Sequence, residues 1–190
     1  NQKRKLIPNL IKIISNIAKT VPNAKLYLHT SYPDMNGWDL PSLLIEHDAE
    51  NLVYFSYKCA NCGKHFSGTY AEPPVACPHC KKNSAGFCSV ANGLSEPELA
   101  NIFNAFDVYI QYAICEGFGI PPVEAAACGV PVVTIDHGAM AEIGRGIGAD
   151  IVPLSCSFRE LETGADRVYP DDKKCCDILI DKYKEININE

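Results

Sequence analysis

Residues 116–142, EGFGIPPVEAAACGVPVVTIDHGAMAE, constrain the fold of this chain more than any other stretch. Their order is glycine loop, helix, sharp stop and buried strand. Glycine lets a backbone take φ > 0 and approach another group closely, because no Cβ stands in the way. Pro121 and Pro122 suit the first turn of a helix, where a missing N–H costs nothing. The free N–H groups of such a helix start face the glycine loop. Unpaired donors and the helix dipole together favour an anion there. Glu116 and Glu124 flank that position, and each can accept hydrogen bonds from hydroxyls. An anion cradle between two hydroxyl acceptors suits a diphosphate joined to sugars.

The rest of the chain alternates between helix and strand patterns. Residues 6–18 place Leu6, Ile7, Leu10, Ile11, Ile14 and Ile17 at helical spacing. Residues 25–29 read as a short strand, and 30–39 as a loop rich in turn formers. A short helix over 41–47 has Asp39 near its cap. Residues 52–57 are β-branched and aromatic, hence a strand. After a break, Ser95 and Glu98 form a capping box ahead of a further helix. Strands are expected at 107–112, 130–135 and 150–153, and helices from 138 and from 171. Alternation of this kind implies a parallel sheet with helices on both faces, an α/β fold. Ligands of such sheets bind beyond the carboxyl ends of the strands, and Glu116 follows a strand in that way.

Residues 58–88 are different in character. Cys59 and Cys62 form one C-x-x-C pair, Cys77 and Cys80 another, and fourteen residues separate them. Four thiolates brought to one centre fill a tetrahedral Zn²⁺ site, so a structural zinc ribbon is expected. The segment is too short and too poor in apolar residues to hold a core without metal. His65 and His79 break the repeat and read as exposed neighbours of the ligands. The chain has ten cysteines, but this pairing favours metal over disulfides, and with it a reducing, cytoplasmic setting. Cys115 and Cys128 sit in apolar segments and read as buried small hydrophobes. At 190 residues the chain can hold one substantial core. A net charge of -6 argues against a general nucleic-acid binder. The longest apolar run is too short to span a bilayer.

The combined string E-G-F-G-x-P-x-x-E-A-x-A-x-G-x-P-V-V resembles the C-terminal, donor-binding domain of GT-B glycosyltransferases of the retaining family 4. The segments LYLHTSYPDMNGWDLPSLL and LSEPELANIFNAFDVYIQYAICEGFG extend the likeness over most of the chain outside the zinc ribbon. The resemblance implies a Rossmann-like domain made of residues 1–57 and 89–190, with 58–88 inserted. It implies a companion acceptor-binding domain preceding Asn1. The expected activity is transfer of a sugar from a UDP- or GDP-linked donor with retention of configuration, by a fragment inactive alone. By resemblance, Glu116 is the catalytic-site carboxylate that meets hydroxyls of the transferred sugar. Glu124 binds the ribose, and Gly117, Phe118, Gly119 and Ile120 meet the sugar and diphosphate through their backbone. Lys5 falls at the position of a lysine that faces the diphosphate, while the arginine preceding it in the family would lie before Asn1. No Asp-x-Asp occurs in the chain, so no catalytic metal is expected.

Weaker candidates are His29 at a strand end, and Asn92 and Gly93 near the nucleotide base. His137, Gly138 and Glu142 stand where the family carries Gly-Gly-x-x-Glu, and Asp136-His137 departs from that pattern. A rival reading is a zinc-ribbon module on an inactive scaffold, binding protein or nucleic acid. Lys58, Lys64, Lys81 and Lys82 give the ribbon local positive charge.

Overall fold

The apolar spacing near the N-terminus produces a helix, α1 (Ile7–Ile17), one residue shorter at each end than the periodicity implied. It buries Ile7, Leu10, Ile11, Ile13, Ile14 and Ile17. The structure is a computed structural model that describes residues 1–188. Its chain divides into two units, Asn1–Lys3 with Ile7–Ser95, and Arg4–Leu6 with Glu96–Glu190.

In the first unit, α1 is followed by β1 (Leu26–Leu28), α2 (Leu40–Glu46) and β2 (Val53–Cys59). β1 and β2 pair in parallel, Leu26 opposite Val53 through Leu28 opposite Phe55. Asp39 caps α2 by accepting from the Ser42 amide at 3.4 Å and the Ser42 hydroxyl at 2.7 Å. Then come β3 (His65–Thr69), β4 (Val75–Ala76) and β5 (Asn83–Phe87). β3 and β5 both pair antiparallel with β2, and β4 pairs with β5. β2 therefore has β3 antiparallel along one edge, and on the other edge β1 in parallel at its start and β5 antiparallel at its end. Tyr57 sits at the change. Its ring packs on Phe66 and Phe87 at 5.5 and 4.8 Å. Its hydroxyl accepts from the Ala71 amide at 2.9 Å and donates to the Thr69 carbonyl at 3.1 Å.

The sequence reading set residues 58–88 apart from 1–57 and 89–190. In the structure β2 runs through position 58 to Cys59. Phe66, Val75 and Phe87 from the segment join the same apolar cluster as Ile11, Leu40, Val53 and Phe55.

The second unit holds α3 (Glu96–Phe103), β6 (Tyr109–Ile110), α4 (Ile120–Ala127), β7 (Val132–Ile135), α5 (Gly138–Gly146) and β8 (Asp150–Val152). β6, β7 and β8 form a parallel sheet with β7 in the middle. All four residues of β7 are buried, as a central parallel strand requires, and all but Thr134 are apolar. Residues 154–170 form an antiparallel hairpin, β9 (Leu154–Arg159) with β10 (Asp166–Pro170), before α6 (Asp172–Ile188).

The chain is thus α/β, with parallel strands and helices. Two features differ from the expectation. The parallel strands lie in two sheets, because β2 gives its remaining pairing positions to antiparallel partners. The hairpin was not foreseen, because all six residues of β9 are exposed and no apolar face marks it.

α5 lies close over β7 and β8 through Gly144. A Cβ there would sit 2.5 Å from Cγ2 of Thr134 and 2.8 Å from Cδ1 of Ile151. Thr134 itself is 1% exposed, and its hydroxyl has no partner among the described residues. Gly144→Ala should destabilise the fold by about 1–3 kcal/mol through overpacking. Thr134→Val should raise stability by about 1 kcal/mol, since the buried hydroxyl disappears and the shape is kept. Urea titration of both variants checks this, and a Gly144→Ala midpoint at or above the parent's would contradict the close approach.

Candidate functional site

Residues 4–6 run antiparallel beside residues 112–114. The Leu6 amide donates to the Tyr112 carbonyl at 3.2 Å, and the Ile114 amide to the Arg4 carbonyl at 2.9 Å. This short ladder brings two cations to the start of the glycine loop. Arg4 Nη1 lies 2.6 Å from Oε2 of Glu116, and Lys5 Nζ pairs with the same oxygen. Gln111, 2% exposed, adds an Nε2 hydrogen bond at 3.2 Å. The Tyr109 hydroxyl donates to Gln111 Oε1 at 2.9 Å. The other carboxylate oxygen, Oε1, accepts from the Gly117 amide at 3.3 Å. Burial pushes the Glu116 carboxyl up. Lys5 and Arg4 outweigh that and hold it below the usual glutamate value. Burial, with Glu124 and Glu116 close by, pushes the Tyr109 phenol well up, so it stays a neutral donor.

After Glu116 the chain turns through Gly117 and Phe118 to Gly119, the N-cap of α4. Gly119 has φ +87, a conformation that glycine takes without strain. Phe118 and Ile120 point outward, each 60% exposed. Pro121 and Pro122 fill the second and third helical positions. They remove two of the four free amides that a helix start offers, leaving those of Gly119 and Ile120. The anion cradle at this helix is therefore poorer in backbone donors than an ordinary one. Glu124 is half-buried on α4, and its carboxylate has no hydrogen-bond partner among the described residues.

Glu116, Lys5, Gly117 and Gly119 thus gather at one corner of the second unit, with Glu124 on the helix the loop leads into. Sequence reasoning singled out Lys5 but not its neighbour Arg4, and it covered Gln111 only as part of the strand at 107–112. The adjacency of Arg4 to Lys5 was the available signal. A cavity of about 340 Å³ opens beside Glu116, lined also by Arg4, Cys115, Gly117 and Arg167. Cys115 and Cys128, expected to be buried, are only half-buried, and Cys115 faces this cavity.

The weaker candidates are placed as follows. His29 shares a hydrogen bond with the Ser56 hydroxyl at 2.7 Å, and Ser56 bonds the Tyr27 hydroxyl at 2.9 Å. Burial, then the nearby His65, lowers the His29 pKa. Asn92 and Gly93 are tied to Lys58, whose Nζ donates to the Gly93 carbonyl at 2.5 Å. His137 caps α5 through its backbone, and Asp136 pairs with Arg145 at 2.5 Å.

The two C-x-x-C pairs fold into matching knuckles. Gly63 and Lys81 stand four residues after Cys59 and Cys77, both with positive φ, at +72 and +63. Their amides donate to the Cys59 and Cys77 carbonyls, each at 2.9 Å. The four sulfurs lie within 4.8 Å of one another. Cys59 Sγ is 3.7 Å from Cys80, and Cys62 Sγ is 3.7 Å from Cys77. A tetrahedron with Zn–S bonds of about 2.3 Å has edges of about 3.8 Å, whereas a disulfide needs about 2.05 Å. The donor set therefore fits a tetrahedral thiolate-bound metal. The Ser84 hydroxyl, 3.1 Å from Cys59 Sγ, and knuckle amides draw the Cys59 thiol down to about 6. His79 is exposed and His65 half-buried at the start of β3, and neither joins the cluster. Among the described residues no helix is long and apolar enough to cross a membrane.

Residues 82–146 match the family model described as Glycosyl transferases group 1. Lipopolysaccharide core biosynthesis mannosyltransferase LpsB of Rhizobium meliloti is 38% identical over 64 residues, 34% of this chain and 18% of that protein. MMP alpha-(1->4)-mannosyltransferase of Mycolicibacterium hassiacum is 40% identical over 53 residues, 28% of this chain and 13% of that protein. The matched segments thus span less than a fifth of either relative. The pneumococcal O-GlcNAc transferase GtfA, solved with UDP and GlcNAc, aligns over 72% of this chain and 19% of its own, at 21% identity and a TM-score of 0.45. The matched span contains Glu116, the glycine loop, Glu124 and the helix–Gly–strand run after it. Residues 82–146 are similar to the glycosyl transferases group 1, and the chain resembles the GT-B glycosyltransferases of family 4.

Proposed function

We propose that this chain is the donor-binding part of a retaining glycosyltransferase that takes its sugar from a UDP- or GDP-linked donor. The observation that carries the reading is the Glu116 carboxylate, held by Arg4, Lys5 and Gln111 at the head of the loop, with Glu124 beyond it, its carboxylate without a hydrogen-bond partner among the described residues. The zinc ribbon of residues 58–88 is a structural insert in a Rossmann-like domain of residues 1–57 and 89–190. The acceptor-binding domain lies outside these 190 residues, in keeping with the small share of the mannosyltransferases that the matched segments cover.

The roles follow from the free valences. Oε2 of Glu116 already serves three donors, while Oε1 serves only the Gly117 amide and keeps capacity for a sugar hydroxyl. Glu124 offers an open carboxylate for the ribose hydroxyls. Phe118, Gly119 and Ile120 bring backbone groups to the sugar and diphosphate. When the nucleoside diphosphate departs, negative charge grows next to the Arg4 and Lys5 cations. Preorganised cations at that place lower the barrier.

Three outcomes test the reading. Glu124→Ala should weaken UDP or GDP binding by about 1.5–3 kcal/mol, the worth of hydrogen bonds to a charged group. Glu116→Ala should leave UDP binding no weaker and abolish transfer in the complete enzyme. Calorimetry decides the first pair, and unchanged UDP and GDP affinity in Glu124→Ala would remove the ribose role.

The second outcome concerns acid. The Glu116 pKa is lowered on folding, so its ionised form stabilises the fold above the ordinary glutamate value of about 4.3. That contribution is lost as pH falls from there through the depressed value. Glu116→Gln should therefore be less stable than the parent at neutral pH, with the gap narrowing steadily as pH falls below the ordinary glutamate value. Urea midpoints across this range check it; a gap independent of pH would contradict the ion pairs.

The third concerns metal. One zinc per chain is expected at Cys59, Cys62, Cys77 and Cys80, with protons released on loading. Cys62→Ser should lose the metal and loosen the β3–β5 region. Elemental analysis of protein purified without chelator reads the stoichiometry, and a metal-free parent would overturn the assignment.

A further inference from the structure

The hairpin of β9 and β10 carries a guanidinium that the roles above leave unused. Arg167 lines the cavity beside Glu116 together with Arg4, Cys115 and Gly117. It is fixed from one side. Its Nη2 donates to Glu160 Oε2 at 2.8 Å, and that oxygen also accepts from the Thr163 hydroxyl. The turn beneath is closed by the Glu160 amide on the Ala165 carbonyl and the Gly164 amide on the Glu160 carbonyl. The hairpin is further braced by the Phe158–Tyr169 stack at 5.5 Å and by Val168, 2% exposed. Arg167 Nε is buried and has no hydrogen-bond partner among the described residues.

These facts combine. Three cations, Arg4, Lys5 and Arg167, meet two carboxylates, Glu116 and Glu160, which leaves one positive charge in excess. Lys5 and Arg4 share one oxygen of Glu116, and Arg167 spends one nitrogen on Glu160. Both guanidiniums keep N–H groups for a further acceptor. A guanidinium matches a carboxylate or phosphate through parallel N–H···O bonds, which a lysine cannot do. Cys115 and Gly117 are small and leave the space between the two arginines open.

We infer that Arg167 and Arg4 form an oxyanion-binding pocket beside Glu116, with Arg167 as a donor-specificity residue supplied by the hairpin. The inference rests on the donor-site reading for its biological ligand, and on the cavity alone for its chemistry. The shared chemistry is a phosphate or carboxylate oxyanion. Its source is either the donor diphosphate or a carboxylate on the transferred sugar.

Calorimetric titration of the 190-residue chain with inorganic pyrophosphate, UDP, UDP-glucose and UDP-glucuronate tests it, using Arg167→Gln, Arg167→Lys and Arg159→Gln. Arg159 pairs with Asp166 on the same hairpin, is exposed and does not line the cavity, so its variant controls for net charge. Arg167→Gln should weaken binding about tenfold or more, and Arg159→Gln less than about twofold. Loss on pyrophosphate and UDP alike identifies the diphosphate. Loss confined to UDP-glucuronate identifies a sugar carboxylate. Arg167→Lys should fall between, and it decides the matter if Arg167→Gln melts early. Binding of pyrophosphate that depends on Arg167, with no preference for nucleotides, keeps the pocket and removes the donor-site reading. Binding of every probe indifferent to Arg167, equal loss in Arg159→Gln, or no binding of any probe overturns the pocket.

Discussion

A carboxylate moved out of water must find its charge balanced nearby, or it takes up a proton. Glu116 is that group here. Its side chain is 14% exposed, and it stays ionised because residues from far along the chain reach it. Arg4 and Lys5 arrive on a short antiparallel ladder, and Gln111 comes from the residue that follows β6. The same contacts orient the carboxylate. With Oε2 occupied by three donors, Oε1 is the oxygen turned to other use. Truncating Glu116 thus removes a hydroxyl acceptor and also strands two cations.

The cysteine cluster rests on a second constraint, the length of β2. The three-residue parallel pairing with β1 ends at Phe55, yet β2 continues to Cys59 and takes up β3 and β5. Cys59 ends that strand, and Ala85 opposite it packs with Cys59 and Cys77. The knuckles are thus anchored in the sheet at one side, and at the other their four sulfurs converge on one point. Tyr57, Phe66 and Phe87 lie between these two anchors. The segment thus packs on an aromatic cluster besides gathering its four cysteines, which is more support than its composition alone suggested.

What could be read in the sequence was local. The helix spacing of residues 6–18, the β-branched and aromatic run of 52–57 and the C-x-x-C pairs each lie within a few neighbouring residues, and each matches what the structure has there. Glu116, Glu124 and the glycines between them were legible for the same reason. Arg4 was not, because its partner lies 112 residues away and a basic run normally faces water. Gln111 looked like any strand residue, since nothing nearby in sequence reveals that its amide faces a carboxylate. The hairpin left no trace, because a fully exposed β9 has no apolar period. The knuckle symmetry was half visible: glycine after the first pair announced a positive φ, while the lysine in the matching place concealed one.

The prolines of α4 tie these observations together. A helix start binds anions mainly through its first free amides. Pro121 and Pro122 delete two of the four, and Phe118 and Ile120 project apolar side chains on either side of Gly119. Backbone donation at this loop is correspondingly weak, so charge must come from side chains. The structure gathers that charge where the backbone lacks it: Arg4 and Lys5 on the ladder, and Arg167 on the hairpin. Side-chain cations bind less rigidly than amides, since each has several rotatable bonds to fix. Here two of them are already fixed by carboxylates, Arg4 by Glu116 and Arg167 by Glu160. The acidic partners therefore do not cancel the site; they hold its arginines in place, and the guanidinium N–H groups left over define where an oxyanion can sit.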